Sequence, residues 1–165
     1  MPDADTPLTP AEPRDAHLRE ETIESSQVYK GHFIELRRDR VRLPDGREAP
    51  REYVVHPGAV MIVAMLPGGK LVMERQYRYP VRQTMVEFPA GKLDAGEGGL
   101  ACAQRELWEE TGYKARRWAK AGIMHPVIGY ATEIIEIWFA DELTLGERHL
   151  DEGEFLDVFT AGLDE

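Results

Sequence analysis

The sequence predicts a layered α+β or α/β domain. Three observations support this prediction: a continuous apolar run over residues 58–66, helical spacing over residues 98–111, and further apolar segments over residues 134–140 and 155–159. Short apolar runs are typical of buried strands, whereas apolar residues three and four positions apart are typical of a helix. Strands on both sides of one helix favour layers of sheet and helix around one core. The length of 165 residues is that of one ordinary domain.

The N-terminal third of the chain divides into two parts by composition. Residues 1–22 carry four prolines among scattered acids, so we expect a flexible leader that cannot bury enough surface to order itself. Residues 23–55 intersperse apolar residues with charges around a Pro-Asp-Gly turn at 44–46, which predicts a small antiparallel β-subdomain. A sheet this thin needs to pack on the main domain, residues 56–165, or on another subunit.

The main domain carries the remaining predicted elements. The apolar run over residues 58–66 is followed by a Pro-Gly-Gly turn and a second apolar segment over 70–73, which predicts a buried hairpin. Residues 85–88 predict a short strand that ends at Pro89. The helix predicted over residues 98–111 ends before Gly112, a residue type that readily adopts the left-handed conformation of a helix end. Residues 134–140 and 155–159 predict two more strands.

The composition argues against several classes of function. Twenty basic residues against thirty acidic ones give a net charge of −10, which disfavours binding to nucleic acid or to anionic membranes. No apolar stretch approaches the roughly 20 residues that span a bilayer, and the N-terminus lacks the basic and apolar regions of a secretory signal. The single cysteine excludes an intrachain disulfide. We therefore expect a soluble protein of the reducing cytoplasm.

Three acids on the predicted helix are the strongest chemical feature. Glu106, Glu109 and Glu110 are three and four residues apart, so their side chains leave one face of the helix within about one turn. Carboxylates held this close repel one another, and a divalent cation with a preference for oxygen ligands relieves that repulsion. The alternative is a solvated acidic helix face, which is common in a chain with many acids.

The residues around these acids favour the metal site. Residues 91–113 fit the pattern G-x5-E-x7-R-E-U-x-E-E-x-G-U, where U is a bulky apolar residue. The matching positions are Gly91, Glu97, Arg105, Glu106, Leu107, Glu109, Glu110, Gly112 and Tyr113. This segment resembles the conserved box of the Nudix hydrolases.

The resemblance implies a Nudix α/β/α sandwich with a mixed sheet and a small N-terminal antiparallel β-subdomain. It also implies hydrolysis of a nucleoside diphosphate linked to another group, with Mg²⁺ or Mn²⁺ as cofactor. The resemblance implies that Glu106, Glu109 and Glu110 hold two or three such ions. It also implies that Glu109 is a catalytic residue. Glu97 has no helical partner among these acids, and Arg105 is the obvious cation for it. We expect this pair to brace the loop, with metal ligation by Glu97 as the alternative.

Sequences beside the box are similar to the ADP-ribose and nucleotide-sugar pyrophosphatase branch of that family. They read ERQYRYP at residues 74–80 and EFPAGKL at residues 87–93. By this resemblance the Ala90 carbonyl is a metal ligand, Arg78 contacts the diphosphate and Tyr77 stacks on a base. For Arg78, an ordinary charged strand edge is the alternative.

Two later loops and an N-terminal strand extend the same resemblance. The loop over residues 126–133 implies a ribose contact by Glu133, with a plain connection as the alternative. The loop over residues 149–154 implies acids that activate water, and we expect Glu152 as the base, with Glu154 next and bound to metal. A solvated acidic turn is the alternative for both acids. Arg51 occupies a substrate-binding position in the branch, and a solvated strand residue is its alternative.

These patterns predict a Mg²⁺-dependent pyrophosphatase that hydrolyses ADP-ribose to AMP and ribose 5-phosphate. The resemblance further implies a homodimer in which exchanged N-terminal subdomains contribute adenine contacts. One departure is that the chain stops at Glu165, where the family has a helix after the last strand, so that helix is vestigial or the chain is short. The alternatives are another nucleotide sugar, such as GDP-mannose, or a catalytically silent module that binds a nucleotide and regulates a partner.

Overall fold

The computed structural model describes residues 13–165, which contain a short 3-10 helix, Pro13–Leu18, ten strands and one α-helix. The strands are β1 (Glu21–Lys30), β2 (Glu35–Arg42), β3 (Glu48–Val55), β4 (Ala59–Ala64), β5 (Leu71–Arg78), β6 (Gln83–Glu87), β7 (Ala90–Lys92), β8 (Tyr113–Met124), β9 (Ile135–Leu145) and β10 (Leu156–Ala161). The helix, α1, spans Gly99–Thr111. The described residues form two compact units: residues 13–57 with 125–133, and residues 58–124 with 134–165.

The first unit contains the predicted N-terminal antiparallel sheet, in the order β1-β2-β3. The turn between β2 and β3 is closed by a 2.8 Å hydrogen bond from the Leu43 amide to the Arg47 carbonyl. The segment over residues 125–133 joins this unit, because Val54 of β3 exchanges hydrogen bonds with Tyr130 and Thr132. Of the leader predicted over residues 1–22, residues 1–12 lie outside the described residues, and the rest includes the 3-10 helix and the start of β1.

The second unit contains two sheets and α1. One sheet has the order β7-β4-β9-β8, with β4 parallel to β9 and the other pairs antiparallel, which confirms the predicted mixed sheet. The other sheet is antiparallel, in the order β10-β5-β6. The helix packs against β4, β7 and β8 of the mixed sheet and also contacts β10.

The predicted hairpin over residues 58–73 is wrong. Strands β4 and β5 belong to different sheets and share only the bridge between Met65 and Leu71 beside their turn. The physical reason is that β9 pairs with one edge of β4 and β7 pairs with the other over Ala59–Met61, so most of β4 is unavailable to β5.

Strand β8 was not predicted from the sequence, and no helix follows the last strand, β10, in the described residues. Strand β8 carries four basic residues, and its inward side chains are few, chiefly Tyr113, Ala115 and Trp118. Residues 162–165 after β10 form a turn rather than a helix, so α1 is the single α-helix between residues 13 and 165. No helix there is both long and apolar enough to cross a bilayer.

The core of the second unit lies between the helix and the strands. Its fully enclosed side chains include Val60 and Ile62 of β4, Val72 of β5, and Cys102 and Leu107 of α1. The same face of α1 also buries acidic side chains, which is unusual for a helix of this size. The face of α1 that packs on the strands therefore buries carboxylates together with apolar side chains.

Candidate active site

Two of the three box carboxylates on α1 are buried against the strands. Glu106 is 9% exposed and Glu110 is 3% exposed, whereas Glu109 is only partly buried. The helix ends as predicted at Gly112, with φ of 75° and a 2.8 Å hydrogen bond from its amide to the Trp108 carbonyl. Burial raises the pKa of Glu106, because the charged form loses water.

Gly91 provides the surface against which Glu106 rests. A Cβ built at residue 91 would lie 1.8 Å from Glu106 Oε1 and 1.9 Å from its Cδ. No side chain fits there while Glu106 keeps its position. The glycine at the start of the box is therefore required by the carboxylate at the middle of the box.

Arg105 links the box loop to the helix acids. Its Nε and Nη2 atoms donate to the two oxygens of Glu97 at 2.9 and 2.8 Å, a bidentate pair. Its Nη1 atom donates to Glu106 at 2.8 Å and to Glu109 at 3.1 Å. Glu97 also accepts from the Asp94 amide at 3.1 Å, which fixes the loop. The hydrogen bond from Arg105 lowers the pKa of Glu97 to about 2.

Glu110 faces another buried carboxyl, that of Glu74 on β5, which the sequence analysis did not select. Glu74 is 2% exposed, and Glu110 accepts a hydrogen bond from the Ala90 amide at 3.1 Å. Desolvation raises the pKa of both groups. The charge of Glu74 raises the pKa of Glu110 further, whereas a hydrogen bond with Glu110 lowers that of Glu74, so the two carboxyls share a proton. The available signal was the period of two along β5, which places Glu74 on the face of buried Val72.

The residues present fit a hard divalent cation. Among the described residues, no three acidic, histidine or cysteine side chains already converge on one point, because Arg105 binds Glu106 and Glu109 while Glu110 binds the Ala90 amide. The groups that could coordinate a metal ion are nevertheless the buried carboxylates of Glu106 and Glu110, and Gly91 leaves room for that of Glu106. Oxygen donors of this kind are those that Mg²⁺ and Mn²⁺ prefer.

Comparison with known proteins identifies this arrangement. The NUDIX domain model matches residues 55–165, and a model described as the nucleoside diphosphate sugar hydrolase N-terminal domain matches residues 20–54. The chain belongs to the Nudix family. The box at residues 91–113 and α1 are therefore the Nudix box and its helix.

Individual relatives extend over most of the chain. The chain is 43% identical over 150 residues to an ADP-ribose pyrophosphatase from Bacillus subtilis, covering 90% of this chain and 81% of the relative. It is also 43% identical over 152 residues to a methanol dehydrogenase activator from Bacillus methanolicus, with the same two coverages. A crystal structure of an ADP compounds hydrolase shares the fold, with a TM-score of 0.79 at 23% identity over 88% of this chain and 80% of that one.

Strand β5 of this Nudix chain places two of the predicted substrate-binding residues on opposite faces. Arg78 lies on the same face of β5 as Glu74 and forms a bidentate pair with Glu87, at 2.8 and 2.9 Å. Tyr77 is one residue away, so it points to the opposite face, where it is 55% exposed. The structure therefore brings Arg78, but not Tyr77, to the carboxylate cluster.

The loop between β9 and β10 is attached to the Nudix helix. The His149 amide donates to the Glu109 carbonyl at 3.0 Å, and the His149 ring lies 5.0 Å from the Trp108 ring. Glu154, later in this loop, is partly buried, and its charge contributes to the raised pKa values of Glu106 and Glu110. Glu152, the predicted base, is exposed in the turn. The structure therefore brings Glu154 to the cluster and leaves Glu152 in solvent.

The other two predicted substrate residues belong to the first unit. Arg51 donates to Glu20 at 2.9 Å and lines a shallow cavity of about 220 Å³ with residues 52–53 and 128–132. Glu133 is 3.7 Å from the His56 Nε2 atom. Both side chains are thus paired with neighbours inside their own unit.

Proposed function

We propose that this Nudix protein hydrolyses ADP-ribose to AMP and ribose 5-phosphate. The observation that carries the proposal is the group of buried carboxylates on the Nudix helix, in a chain 43% identical over 90% of its length to an ADP-ribose pyrophosphatase. Water adds its oxygen to one phosphorus, the bond from that phosphorus to the bridging oxygen breaks, and two phosphomonoesters are released. A group of carboxylates has no affinity of its own for a diphosphate, so this reaction needs cations.

The cofactor is Mg²⁺, with Mn²⁺ as a substitute, bound as two or three ions. Glu106, Glu109 and Glu110 are the carboxylates that would hold it, together with the Ala90 carbonyl and Glu154. When bound, such ions neutralise the diphosphate and lower the pKa of a bound water. The contacts that Arg105 makes with Glu106 and Glu109 keep these side chains on one side of the helix.

The water is activated by an acid of the loop that follows β9. Glu154 is the better supported candidate, because it is partly buried and electrostatically coupled to Glu106 and Glu110. Glu152 remains the alternative, since a loop acid can reach the water when the loop closes over substrate. Separate Glu152→Gln and Glu154→Gln variants, assayed at saturating Mg²⁺ because Glu154 is also a proposed ligand, distinguish them, since loss of the base lowers kcat by about 10²- to 10⁴-fold.

Arg78 binds the diphosphate. Its guanidinium already forms a planar, two-bond contact with a carboxylate, that of Glu87, and a phosphate offers the same geometry. Arg78 would therefore keep two hydrogen bonds to an oxygen anion in both states, to the Glu87 carboxylate in the free protein and to the phosphate when substrate is bound. Its charge offsets the negative charge that develops on the phosphate in the transition state.

The substrate site is completed in a homodimer, in which the N-terminal subdomain of one subunit, including Arg51, contributes adenine contacts to its partner, while Glu133 contacts the terminal ribose. Support comes from the three-stranded sheet over residues 21–55, where Val28 and Tyr29 of β1 and Phe33 of the β1–β2 connection are exposed. The nucleotide substrate and the single buried thiol fit a cytoplasmic location. Light scattering after size exclusion measures the dimer, and a monomer that keeps full activity contradicts this arrangement.

A second candidate function is regulation of a partner enzyme. The observation that favours it is the 43% identity to a methanol dehydrogenase activator over 90% of the chain. The two functions differ in one respect: a regulator without hydrolytic activity would bind nucleotide in the presence of Mg²⁺ and be stabilised by it without turnover.

A phosphatase-coupled release assay tests the proposal. We expect ADP-ribose to exceed ADP-glucose, GDP-mannose, UDP-glucose and NADH in kcat/KM by at least about tenfold, or 1.4 kcal/mol. Glu110→Gln, which retains the shape of the side chain, is expected to lower kcat by about 10³-fold or more while the protein stays folded. Preference for GDP-mannose would move the function to that substrate, and full activity of Glu110→Gln would refute the metal assignment.

A further inference from the structure

Glu74 is the most enclosed acid of the second unit, and no part of the Nudix box includes it. It lies on β5 in register with Glu87 of β6 and Val158 of β10, in the middle of a three-stranded sheet. Only 2% of its surface is exposed. Its Oε1 atom is buried and has no hydrogen-bond donor among the residues that the structure describes.

The groups around Glu74 do not compensate a negative charge. The negative charges that act on it are those of Glu87 and Glu154, Glu110 contributes a shared hydrogen bond, and Arg78 is the cation. Arg78, however, directs its two-bond contact to Glu87 at 2.8 and 2.9 Å. A carboxylate that is buried without a cation or donor costs several kcal/mol. An apolar residue beside Val72 would avoid this cost, so the acid needs a partner that the chain itself does not supply.

The position of Glu74 identifies that partner. The carboxyl of Glu110 is in hydrogen-bonding contact with that of Glu74 when one of the two carries a proton. Two ionised carboxylates have no donor between them, whereas one divalent cation can accept an oxygen from each.

We propose that Glu74 is an additional carboxylate ligand of the divalent cation, and that it binds the same ion as Glu110. This inference rests on the metal site of the proposed function and adds a ligand from β5 to those of the box, the preceding strand and the later loop. Glu74 then contributes to metal affinity, and to the stability that the protein gains when metal is added. If Glu74 only positioned Glu110 through a hydrogen bond, glutamine would keep that hydrogen bond. Metal affinity and the stability gained from metal would then be the same in Glu74→Gln as in wild type.

The experiment is a Mn²⁺ titration of the substrate-free protein, followed by electron paramagnetic resonance of the free ion. Glu74→Gln keeps shape and hydrogen bonding but removes the charge, and Glu74→Leu removes the polar group as well. We expect each to weaken Mn²⁺ binding by at least tenfold, which is about 1.4 kcal/mol. Competition with Mg²⁺ is expected to show the same ratio.

The matched control is Asp39→Asn in the first unit. Asp39 is 8% exposed and also has a buried oxygen, Oδ1, without a donor in the described part of the chain, so the variant likewise removes a buried charge. We expect it to leave the Mn²⁺ dissociation constant within twofold of wild type. A loss of Mn²⁺ affinity in Asp39→Asn as large as that in Glu74→Gln would mean that removing any buried charge weakens metal binding, and would overturn the proposal.

Thermal unfolding gives a second readout. Without metal, Glu74→Leu is expected to unfold at the same or a higher temperature than wild type, because an uncompensated buried charge is gone. With saturating Mn²⁺, wild type is expected to gain more in Tm than the variant. A Mn²⁺ affinity of Glu74→Gln within twofold of wild type, or an equal gain in Tm, refutes metal ligation by Glu74. Because no substrate is used, these results are independent of whether ADP-ribose is hydrolysed.

Discussion

Replacing Gly91 by alanine tests whether the Nudix reaction depends on the position of Glu106. The new Cβ would lie 1.8 Å from Glu106 Oε1, and real Cβ atoms essentially never approach another heavy atom closer than 3.0 Å. The carboxylate must therefore move by roughly 1.2 Å or the strand must shift. Glu106 cannot make this movement without weakening its 2.8 Å hydrogen bond from Arg105.

The expected effect is large on activity and moderate on stability. A displacement of about 1 Å in a catalytic group lowers rates by about 10²-fold, so we expect kcat with saturating ADP-ribose and Mg²⁺ to fall by that factor. Crowding a packed site by one methyl group costs about 1–3 kcal/mol of unfolding free energy, which urea denaturation measures. Mn²⁺ affinity is expected to decrease as well, because a metal ligand has moved.

Gly98→Ala is the matched control for this substitution. Residue 98 precedes α1 in the same box, its φ of −86° suits alanine, and no atom lies within 4 Å of the added Cβ. We expect a loss of up to about 1 kcal/mol at the helix start and a kcat within twofold of wild type. If Gly91→Ala is folded and retains kcat within threefold of wild type, the reasoning that ties catalysis to the position of Glu106 is refuted.

Three further predictions follow from the box and its surroundings. The pKa of Glu97 is about 2, below its ordinary value of 4.5, so its ion pair with Arg105 stabilises the fold above pH 4.5 and loses this effect as the pH falls toward 2. Glu97→Gln is expected to lower the unfolding free energy by about 1.5–3 kcal/mol at pH 7, and an equal loss at pH 3.5 contradicts this. Burial raises the pKa of the Cys102 thiol to about 12, so a disulfide reagent at pH 8 should react with it only in urea, and rapid labelling of the folded protein contradicts the structure. Trp108→Ala removes a ring contact with His149 worth about 0.5–1.5 kcal/mol, so proteolysis within residues 146–154 should become faster, and unchanged cleavage argues against this attachment.

The features that could be predicted from the sequence are those set by local geometry. A helix repeats every 3.6 residues, so the spacing of Glu106, Glu109 and Glu110 determines that they share a face wherever the helix lies. The end of α1 at Gly112 and the turn between β2 and β3 are local in the same sense. The charge and composition likewise depend on no contact, and the box by itself was enough to indicate the family.

The features that only the tertiary structure decided are pairings between distant segments. Strands β4 and β5 join different sheets, although only a short turn separates them, because β9 binds one edge of β4 and β7 binds the other over Ala59–Met61. Glu74 reads in the sequence as one charge among several, and it becomes part of the site only because β5 runs beside Glu110. Hydrogen bonding between strands and burial of side chains depend on which segments meet in space, and periodicity within one segment does not determine that. The helix acids therefore follow from the sequence, whereas the enclosure that gives them their chemistry depends on the fold.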